Sequence, residues 1–410
     1  MADWPFVEYQ SLASPEDRAA FAMGPFGPRI TKDDFVREGV PVIRGVNLVT
    51  GVLGGEFAYV SEEKADEVRS ANAGPGDIVL THRGAVGRVS VIPHGRGFSR
   101  YVIDSAQLRC RLDRTRAVPE FYHYWFRSEA GRRSILAQAS APGRPGMAAP
   151  LTSIRTLRVP CPPLAEQQAV ADVLGALDDK IAGNDDLVAA LHELGLAHFD
   201  RAVESDGSVR VAVGSVVREP FRGTASGELD VPGGVRVIDR DCIRDGQVSV
   251  ESARRVPAQE ADSTRMLRRH DVLVAPAHGG GPGRGARWTS DAAAVADARL
   301  LAVRFAPELV DPVCAGLAVL RAQPRIDAAA EGASRQAGLR ETHLARLELV
   351  LPGPARRPAL RAALDALENR ADEARRESDT LAELRDSLIP HLMTGWVRVR
   401  DLEAAVEGAT

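Results

Sequence analysis

Two glycine-rich turns carry the side chains best suited to contact an external ligand. The first reads THRGAVGR at residues 81–88 and combines two glycines with His82, Arg83 and Arg88. Glycines let a hairpin turn tightly and let its backbone approach a ligand, so the flanking arginines would lie on a narrow projection. Such a projection could enter a groove of double-stranded DNA. A plain hairpin with two turn glycines is the alternative that this turn alone leaves open.

The second turn repeats this plan with a richer composition. Residues 278–288 read HGGGPGRGARW and contain His278, Arg284 and Arg287. The GxxxxGK[ST] motif of a nucleotide-binding loop is not completed here, because Gly285 follows Arg284. Different side chains on the same backbone plan would suit two DNA-reading domains with different targets.

Arginines around the first turn predict a surface that faces phosphates. From Arg69 to Arg116 the chain holds nine arginines and three aspartates, a net charge of +6, although a solvated face is the alternative. Bidentate arginine contacts discriminate guanine, whereas phosphate contacts only position the protein. The predicted base readers are Arg83, Arg88, Arg284 and Arg287, with His82 and His278 behind them. The predicted phosphate anchors are Arg44, Arg100 and Arg109.

Catalysis by this chain is not predicted. The sequence has no Asn/Asp-Pro-Pro-Phe/Tyr motif of amino-methyltransferases, no clean glycine motif for S-adenosylmethionine and no metal-spaced set of His and Cys. The acidic pairs at 178–179 and 185–186 fall within a predicted long helix, where a solvated or partner-facing stripe is expected. We therefore expect no catalytic residue, no metal site and no cofactor in this chain.

A long helix is the element that must position these turns. We predict it from Pro160 to Phe199, because prolines pre-set its start, Glu166 in its first turn favours the helix dipole, and no proline interrupts it. Apolar residues recur along it in the alternation typical of a packed seam. The predicted residues of the helix start and seam are Leu164, Glu166, Gln167, Val170, Leu174, Leu177, Ile181 and Asn184.

A second copy of this helix lies near the end of the chain. An alignment of the sequence with itself places Val170 opposite Leu360. The same alignment places Leu174 opposite Leu364 and Leu177 opposite Leu367. Each helix needs a partner for its apolar stripe, and the simplest answer is that the two pack together. Because the first helix leads the chain from one region into the next, the second must return. We expect an antiparallel pair.

Short β-type runs on either side of the helices predict two β-rich domains. The run from Gly234 to Gly246 repeats the pattern from Gly39 to Gly51, and Asp271–Ala275 repeats Asp77–Thr81. The expected fold is therefore α+β: two β-rich domains separated by two long antiparallel helices that form a coiled coil, with a pseudo-twofold internal repeat. The expected boundaries are 1–160 and 207–352 for the β-rich domains, 161–206 for the central helix, and 353–410 for the C-terminal helix and tail.

Composition places the chain among soluble proteins. It has 410 residues, of which 44% are hydrophobic and 26% charged. Because no apolar run approaches 18 residues and no basic start precedes an apolar core, we expect neither a membrane span nor a signal peptide. Its four cysteines lack metal spacing, so a reduced, cytoplasmic protein is expected. The net charge of −4 hides an uneven distribution, since residues 164–206 hold ten acidic and two basic side chains.

The helix start and the end of the chain resemble the specificity subunits of type I restriction-modification systems. The run LTSIRTLRVPCPPLAEQQ at 151–168, followed by VLGALDDKI at 173–181 and by Asn184, is similar to their central conserved region. The run LRDSLIPHLMTG at 384–395 is similar to their closing segment. Four runs of the first region are similar to a common subclass of their target recognition domains: GPFG at 24–27, PVIRG at 41–45, YVS at 59–61 and GDIVL at 76–80.

This resemblance implies two target recognition domains, each of which reads one half of a bipartite DNA sequence. It also implies that the helices dock two modification subunits, which methylate adenine with S-adenosylmethionine, and that restriction subunits using ATP and Mg²⁺ join this core. The chain would then be a non-catalytic, DNA-binding specificity subunit in phage defence, and those cofactors would belong to its partners.

Two other classes of function remain open. One is a DNA-recognition module of another phage-defence or modification system, because residues 352–358, PGPARRP, lack the Glu-Gln pair that starts the first helix. The other is a coiled-coil protein scaffold without DNA binding. Steep loss of binding with salt would favour DNA over the scaffold.

Overall fold

The computed structural model describes most of the chain as two units. It describes residues 4–25, 29–48, 52–95, 97–139, 146–223, 231, 233–244, 246–250, 253–275, 283–331 and 341–399, with the side chains of 329–331 left out. Unit 1 comprises Met1–Gly183 and Glu377–Thr410, and unit 2 comprises Asn184–Arg376. Each of the two long helices contributes one half to each unit.

The α-helices include two of about forty residues among many short ones. In chain order they are α1 (Glu62–Glu67), α2 (Pro119–Arg127), α3 (Glu129–Leu136), α4 (Pro150–Arg155), α5 (Leu164–Val203), α6 (Val213–Val216), α7 (Pro312–Arg321), α8 (Gln323–Glu331), α9 (Glu341–Ala345) and α10 (Arg357–Met393). Short 3-10 helices lie at Tyr9–Leu12, Lys32–Asp34, Gly45–Leu48, Arg69–Ala71, Arg240–Cys242, Ala258–Glu260 and Ser263–Arg265.

The strands are short and fall into two sets. In unit 1 they are β1 (Phe6–Glu8), β2 (Phe21–Met23), β3 (Phe35–Val36), β4 (Val40–Ile43), β5 (Ala58–Val60), β6 (Asn72–Ala73), β7 (Ile78–Thr81), β8 (Val89–Val91), β9 (Tyr101–Ile103), β10 (Gln107–Cys110) and β11 (Arg158–Pro160). In unit 2 they are β12 (Val209–Ala212), β13 (Val217–Arg222), β14 (Val235–Ile238), β15 (Ile243–Arg244), β16 (Gln247–Val248), β17 (Arg254–Val256), β18 (Val272–Ala275), β19 (Arg284–Arg287), β20 (Ala294–Ala296), β21 (Leu301–Phe305) and β22 (Glu348–Leu351).

The two units repeat one sheet topology. The four-stranded sheet has the order β2-β10-β7-β8 in unit 1 and β13-β21-β18-β19 in unit 2. A second sheet joins β4 to β5 antiparallel and to β9 parallel, and in unit 2 β14 joins β17 and β20 in the same senses. The predicted internal repeat and mixed α+β fold are therefore confirmed.

A matched pair of glycines shows how closely the repeat holds. A Cβ added at Gly39 would lie 2.3 Å from the carbonyl oxygen of Val60, and one added at Gly234 would lie 2.3 Å from that of Val256. Both glycines precede the central strand of the second sheet, where the neighbouring strand passes too close for a side chain.

In unit 1 the long helices pack antiparallel over the core of the four-stranded sheet. Val170 and Leu174 of α5 share a buried cluster with Ile389 and Leu392 of α10. Ring side chains of α2 belong to the same cluster, and Tyr122 and Phe126 are fully buried there. Helix α5 starts at Leu164 rather than at the predicted Pro160, because residues up to Pro160 form β11, which pairs with β1.

In unit 2 the other halves of the same helices pack in the same antiparallel sense. Leu196 of α5 lies in one buried cluster with Leu360 and Leu364 of α10, and Val188 packs against Ala371 and Ala374. The predicted antiparallel helix pair is thus present within each unit. Gly395, with φ of +61°, closes α10 in the left-handed conformation that glycine adopts at helix ends.

Candidate nucleic-acid interface

The first predicted turn closes a hairpin between β7 and β8. Leu80 pairs with Val89, and the turn backbone takes positive φ at Gly84 (+83°) and Gly87 (+88°). Glycine adopts these values at little steric cost, which explains both glycines. Arg83 is exposed beside Gly84, and its Nη2 donates a hydrogen bond to Ser105 Oγ at 3.1 Å. The hairpin therefore presents one guanidinium to solvent.

His82 lies beneath this arginine rather than on the surface. It is 4% exposed, and its Nε2 lies 3.2 Å from the carbonyl oxygen of Ser105. Burial lowers the pKa of His82, so its neutral form is favoured. The structure therefore places His82 behind Arg83, where it supports the turn from inside.

Arg88 and Arg284 occupy equivalent positions in the two hairpins and make equivalent contacts. Arg88 Nη1 donates to the carbonyl oxygen of Gly45 at 3.0 Å, and Arg284 Nη1 donates to that of Arg240 at 3.4 Å. Both acceptors follow the central strand of the second sheet, β4 or β14. Each arginine thus ties its hairpin to the neighbouring loop while remaining half-buried.

The second predicted turn connects β18 to β19. Ala275 pairs with Arg284 and Val272 pairs with Arg287, which confirms a hairpin at this position. His278 and the rest of residues 276–282 lie outside the described residues. Arg284 is the first residue of β19 and Arg287 the last, so both arginines belong to the strand rather than to a turn.

Arg287 points inward and binds the helix pair of unit 2. It is 6% exposed, and its Nη2 donates to Glu368 Oε1 on α10. On the way its side chain passes over Gly316, where an added Cβ would lie 2.7 Å from Arg287 Cδ. A buried guanidinium held by a carboxylate is not presented to DNA. The structure therefore gives Arg287 an anchoring position, not the base-reading position expected from the sequence.

The three arginines predicted as phosphate anchors all have partners inside unit 1. Arg109 is 3% exposed and binds Asp17 Oδ2 at 2.9 Å, and burial lowers its pKa. Arg100 forms salt bridges with Glu62 at 2.8 Å and with Asp66 at 2.7 Å. Arg109 is thus buried away from any phosphate, and Arg100 is already neutralised.

Arg44, the third of them, is half-buried and less fully engaged. Its Nη2 donates to the carbonyl oxygen of Glu56 at 3.3 Å. Its Nε is buried without a hydrogen-bond partner among the residues that the structure describes. This buried Nε cannot itself contact a phosphate, so any phosphate contact of Arg44 would have to use its Nη atoms.

One Asp–Arg ion pair, which the sequence did not reveal, braces the four-stranded sheet in each unit; both aspartates are buried, Arg304 is buried too, and Arg111 is partly exposed. Asp77 binds Arg111 through two hydrogen bonds of 2.8 and 2.7 Å. At the equivalent place Asp271 binds Arg304 through two of 2.9 and 2.6 Å. Each aspartate precedes the strand that enters the hairpin, so each pair fixes the base of a hairpin. In the sequence, the aspartate that recurs at positions 77 and 271 of the repeat is the feature from which these ion pairs could have been predicted.

The predicted start of α5 is tied to the core of unit 1. Gln167 is fully buried, where its Oε1 accepts from the Val118 amide at 2.9 Å and its Nε2 donates to the Pro162 carbonyl at 2.9 Å. Glu166 accepts a hydrogen bond of 2.9 Å from Trp4 Nε1. Leu164 remains 40% exposed. Of these three, Leu164 presents the most surface to a partner.

The predicted seam residues are buried to different degrees. Val170, Leu174, Leu360 and Leu364 are buried, whereas Leu177, Ile181 and Leu367 are half-buried. Asn184 is a buried polar residue, 3% exposed, at the seam position where the apolar pattern lapses. A buried asparagine at such a position can fix the register of packed helices.

Within the described ranges, no three His, Cys, Asp or Glu side chains are grouped so that they could hold a metal ion. None of the described helices is both long and apolar enough to cross a membrane.

No protein-family model and no curated protein matches the sequence. Among solved structures, the chain is similar to the type I restriction-modification S subunit from M. genitalium, with 13% identity, a TM-score of 0.48 and coverage of 95% of this chain and 96% of that one. It is similar to the HsdS subunit from Thermoanaerobacter tengcongensis, with 14% identity, a TM-score of 0.36 and coverage of 96% and 97%. It is also similar to a chain from a study of complex assembly and conformational transition of the type I R-M system, with 15% identity, a TM-score of 0.38 and coverage of 95% and 97%.

Proposed function

We propose that this chain is the sequence-specific DNA-binding subunit of a type I restriction-modification complex. The observation that carries the proposal is the duplicated hairpin frame. Each unit builds the same four-stranded sheet, braces it with an equivalent Asp–Arg pair and ties its hairpin with an equivalent arginine. On this common frame the amino-acid sequences of the two hairpins differ. Two copies of one frame with different hairpin sequences suit a protein that reads two different half-sites.

In this proposal the recognition domains span about residues 1–160 and 207–352, as expected from the sequence. Arg83 is the first base reader to test, because it is the exposed arginine on the first hairpin. Arg88 and Arg284 follow as proposed readers, since each is half-buried on a hairpin, and the half-buried Arg44 remains a proposed phosphate anchor. His278 remains a proposed reader on the sequence alone.

The partners of this proposal follow from the sequence motifs at the helix start and the end of the chain. Two modification subunits would dock on the helices and methylate adenine with S-adenosylmethionine, and restriction subunits would cleave with ATP and Mg²⁺. The chain itself would be non-catalytic and would direct both reactions by binding one bipartite target.

Selection from random duplexes tests the DNA-binding part. The full chain, with whatever subunits co-purify, is incubated with a random duplex pool and the bound DNA is sequenced. We expect enrichment of two short motifs at a fixed spacing, and binding that falls by orders of magnitude between about 50 and 200 mM salt. Binding that is insensitive to salt and enriches no sequence would contradict DNA recognition and favour a protein scaffold.

A second candidate is the DNA-recognition module of another phage-defence or modification system. It is favoured by the start of α10, where Arg357 stands at the place of Gln167. Arg357 Nε donates to the Pro352 carbonyl at 2.8 Å, which reproduces the bond of Gln167 to Pro162. The preceding residue changes from Glu166 to the exposed Arg356. Because this reverses the charge at one helix start, the two starts would not bind one kind of partner equally.

Co-purification separates these two candidates. The type I proposal expects an adenine methyltransferase to co-purify with the full chain, and an exchange of Glu166 for Arg to weaken that association. Recovery of a different enzyme with the same DNA-binding behaviour would favour the second candidate.

A further inference from the structure

The turn that precedes β7 in unit 1 and β18 in unit 2 has the same backbone but different side chains. In unit 1 the Asp77 amide donates to the carbonyl three residues earlier at 3.0 Å, and in unit 2 the Asp271 amide does the same at 2.9 Å. The third residue of each turn has positive φ, +82° at Gly76 and +74° at His270. This combination is that of a type II turn.

The central residues of this turn are the preferred ones in unit 1 only. A type II turn favours Pro followed by Gly, and unit 1 has this pair at 75–76. Unit 2 has Arg269 and His270 instead. Among the residues that the structure describes, His270 is the only one other than glycine with positive φ, which is disfavoured for a residue with a Cβ. Such strain is concentrated at functional sites.

Arg269 joins the turn to α10. Its Nη2 donates to Asp372 Oδ2, and its Nη1 donates to the Thr289 carbonyl at 2.7 Å and lies 3.7 Å from the exposed Asp291. The side chains of Arg269 and Asp372 are 27% and 20% exposed, so water only partly screens the pair. Arg375 donates to the other oxygen of Asp372 at 3.0 Å. The turn is therefore fastened to a carboxylate that α10 itself holds in place.

His270 lies against the carboxylate one helical turn away, that of Glu368. Its Nδ1 is 4.0 Å from Glu368 Oε2, which is too far for a hydrogen bond, and both side chains are largely buried. The other oxygen of Glu368 accepts from Arg287 at the end of β19. Because Glu368 and Asp372 are four residues apart, they share one face of α10. Three side chains around the hairpin of unit 2 thus meet one face of this helix.

Unit 1 builds the same hairpin without these three side chains. Its turn is Pro-Gly, and Val91 stands at the place of Arg287, because each pairs with the first residue of the strand that enters the hairpin. The equivalent helix carboxylate is Asp178 on α5, and it accepts hydrogen bonds from side chains of α2 and α10 instead, Tyr124 and Arg385. The connection between hairpin and helix is therefore an addition specific to unit 2.

From these observations we infer that Arg269 and His270 are positioning residues, which hold the hairpin of unit 2 at one orientation on α10. This inference rests on the proposed function. A chain that reads two half-sites at one spacing needs the hairpin that contacts the second half-site at a fixed place on its helix. Arg269 and His270 act before β18 and Arg287 acts at the end of β19, so together they fasten both strands. The two turn residues thereby narrow the spacing that the chain accepts.

The test gives unit 2 the turn of unit 1. The full chain, with whatever subunits co-purify, is compared with Arg269→Pro/His270→Gly in selection from random duplexes. We expect the variant to enrich the same two half-sites, but also at spacings one base pair shorter and longer than that of the wild type. The preference for the wild-type spacing should fall about tenfold, which is equivalent to about 1.4 kcal/mol. A merely structural role would lower the yield of folded chain and leave the spacing unchanged.

Two single variants accompany this comparison. Arg269→Gln keeps the backbone of the turn and removes the charged contact with Asp372, so it should broaden the spacing in the same direction and decides the matter if the double variant does not fold. The control is Arg218→Gln, which removes an exposed arginine of the same unit that pairs with Glu308 at 2.9 Å. The control should keep the wild-type spacing.

The outcomes separate this inference from the proposed function. A wild-type chain that enriches no bipartite motif contradicts both. A wild type that enriches one spacing, while the folded turn variants keep that same spacing, overturns the positioning role alone. A wild type that already accepts several spacings equally does so too. Loss of the second half-site from the motif of a folded variant would mean that the two residues act in base reading, which also overturns the inference.

Discussion

Arg304 holds both carboxylate oxygens of Asp271 in the interior of the second unit, at 2.9 and 2.6 Å. The side chains are 9% and 2% exposed. Because Asp271 precedes β18 and Arg304 lies on β21, the pair joins two neighbouring strands at the base of a hairpin. Arg304 Nη2 also donates to the Met266 carbonyl at 2.9 Å, so this nitrogen has two acceptors, Asp271 Oδ2 and the Met266 carbonyl oxygen.

Removing one member of this pair should be costly. We expect Arg304→Met to lower the free energy of unfolding by about 3–5 kcal/mol, because it leaves Asp271 charged and buried without a partner. Urea unfolding measures the loss. Arg218→Met is the control, since its pair with Glu308 is more than half exposed and should contribute below about 1 kcal/mol. Equal losses in the two variants would show that burial does not increase the contribution of the Asp271–Arg304 pair to the free energy of unfolding.

Two helical glycines of unit 1 should respond to alanine in opposite directions. An added Cβ at Gly131 of α3 would lie 2.0 Å from the carbonyl oxygen of Trp125, whereas one at Gly175 of α5 would meet nothing within 4 Å. We expect Gly175→Ala to stabilise the chain by about 0.5–1 kcal/mol. Gly131→Ala should destabilise it by at least that amount. Urea unfolding of both variants gives the comparison, and destabilisation by Gly175→Ala would contradict the packing described for α5.

Substitution of Arg83 should change DNA base preference without changing stability, and substitution of Arg287 should change stability without changing base preference. Arg83 is exposed, so Arg83→Ala should leave the free energy of unfolding within about 0.5 kcal/mol of the wild type. If Arg83 contacts a base, Arg83→Ala should remove about 1–3 kcal/mol of discrimination between bases at one position of one half-site. Selection from a duplex pool with the variant reads this out. A uniform loss of affinity across all sequences would make Arg83 a phosphate anchor instead.

Arg287→Met should lower the free energy of unfolding and leave the DNA base preference unchanged. It leaves Glu368, whose side chain is 17% exposed, without the guanidinium of Arg287, so we expect a loss of about 3 kcal/mol in the free energy of unfolding. Where the variant is still folded, its base preference should match the wild type. A changed half-site preference with unchanged stability would restore Arg287 as a reader.

We expect unit 1 to become less stable at acidic pH because of His123. This histidine is 3% exposed, and burial lowers its pKa to about 3, aided by the nearby charge of Arg127. The unfolded chain takes up a proton near pH 6.5 and the folded chain does not. Stability is therefore fully present above about pH 6.5 and falls on acidification towards pH 3, by at most about 1.4 kcal/mol per pH unit for this group.

Urea unfolding at several pH values between about 7 and 4 tests this dependence. Burial also lowers the pKa of His82, His192 and His270, so the wild type should take up more than one proton on unfolding. His123→Gln should remove one proton from that uptake. An unchanged pH dependence in the variant would show that His123 does not titrate as its burial requires.

Periodic features were predictable from the sequence, and features made by distant contacts were not. The seam from Val170 to Leu177 repeats at helical spacing, so the helix and its second copy could be predicted. The hairpin at 78–91 could be predicted from local alternation and its turn glycines. The parallel pairing of β4 with β9 joins residues about sixty apart, which no local pattern encodes.

The partners of individual arginines show the same limit. Charge density predicted a basic surface from Arg69 to Arg116, yet Arg109 turns inward to Asp17. Arg287 follows a glycine-rich run and was expected outside, but the gap over Gly316 lets it reach Glu368. Whether a guanidinium faces water or a carboxylate depends on what the rest of the chain places beside it, and that is fixed only when the fold closes.

The most direct test of the central proposal is long-read methylation profiling of the native genome with and without this gene. If the chain directs a type I modification enzyme, methylated adenine should disappear at one bipartite motif when the gene is deleted and return when it is restored. An unchanged pattern of methylated adenine in a strain that expresses the gene together with an active adenine methyltransferase partner would contradict the proposal.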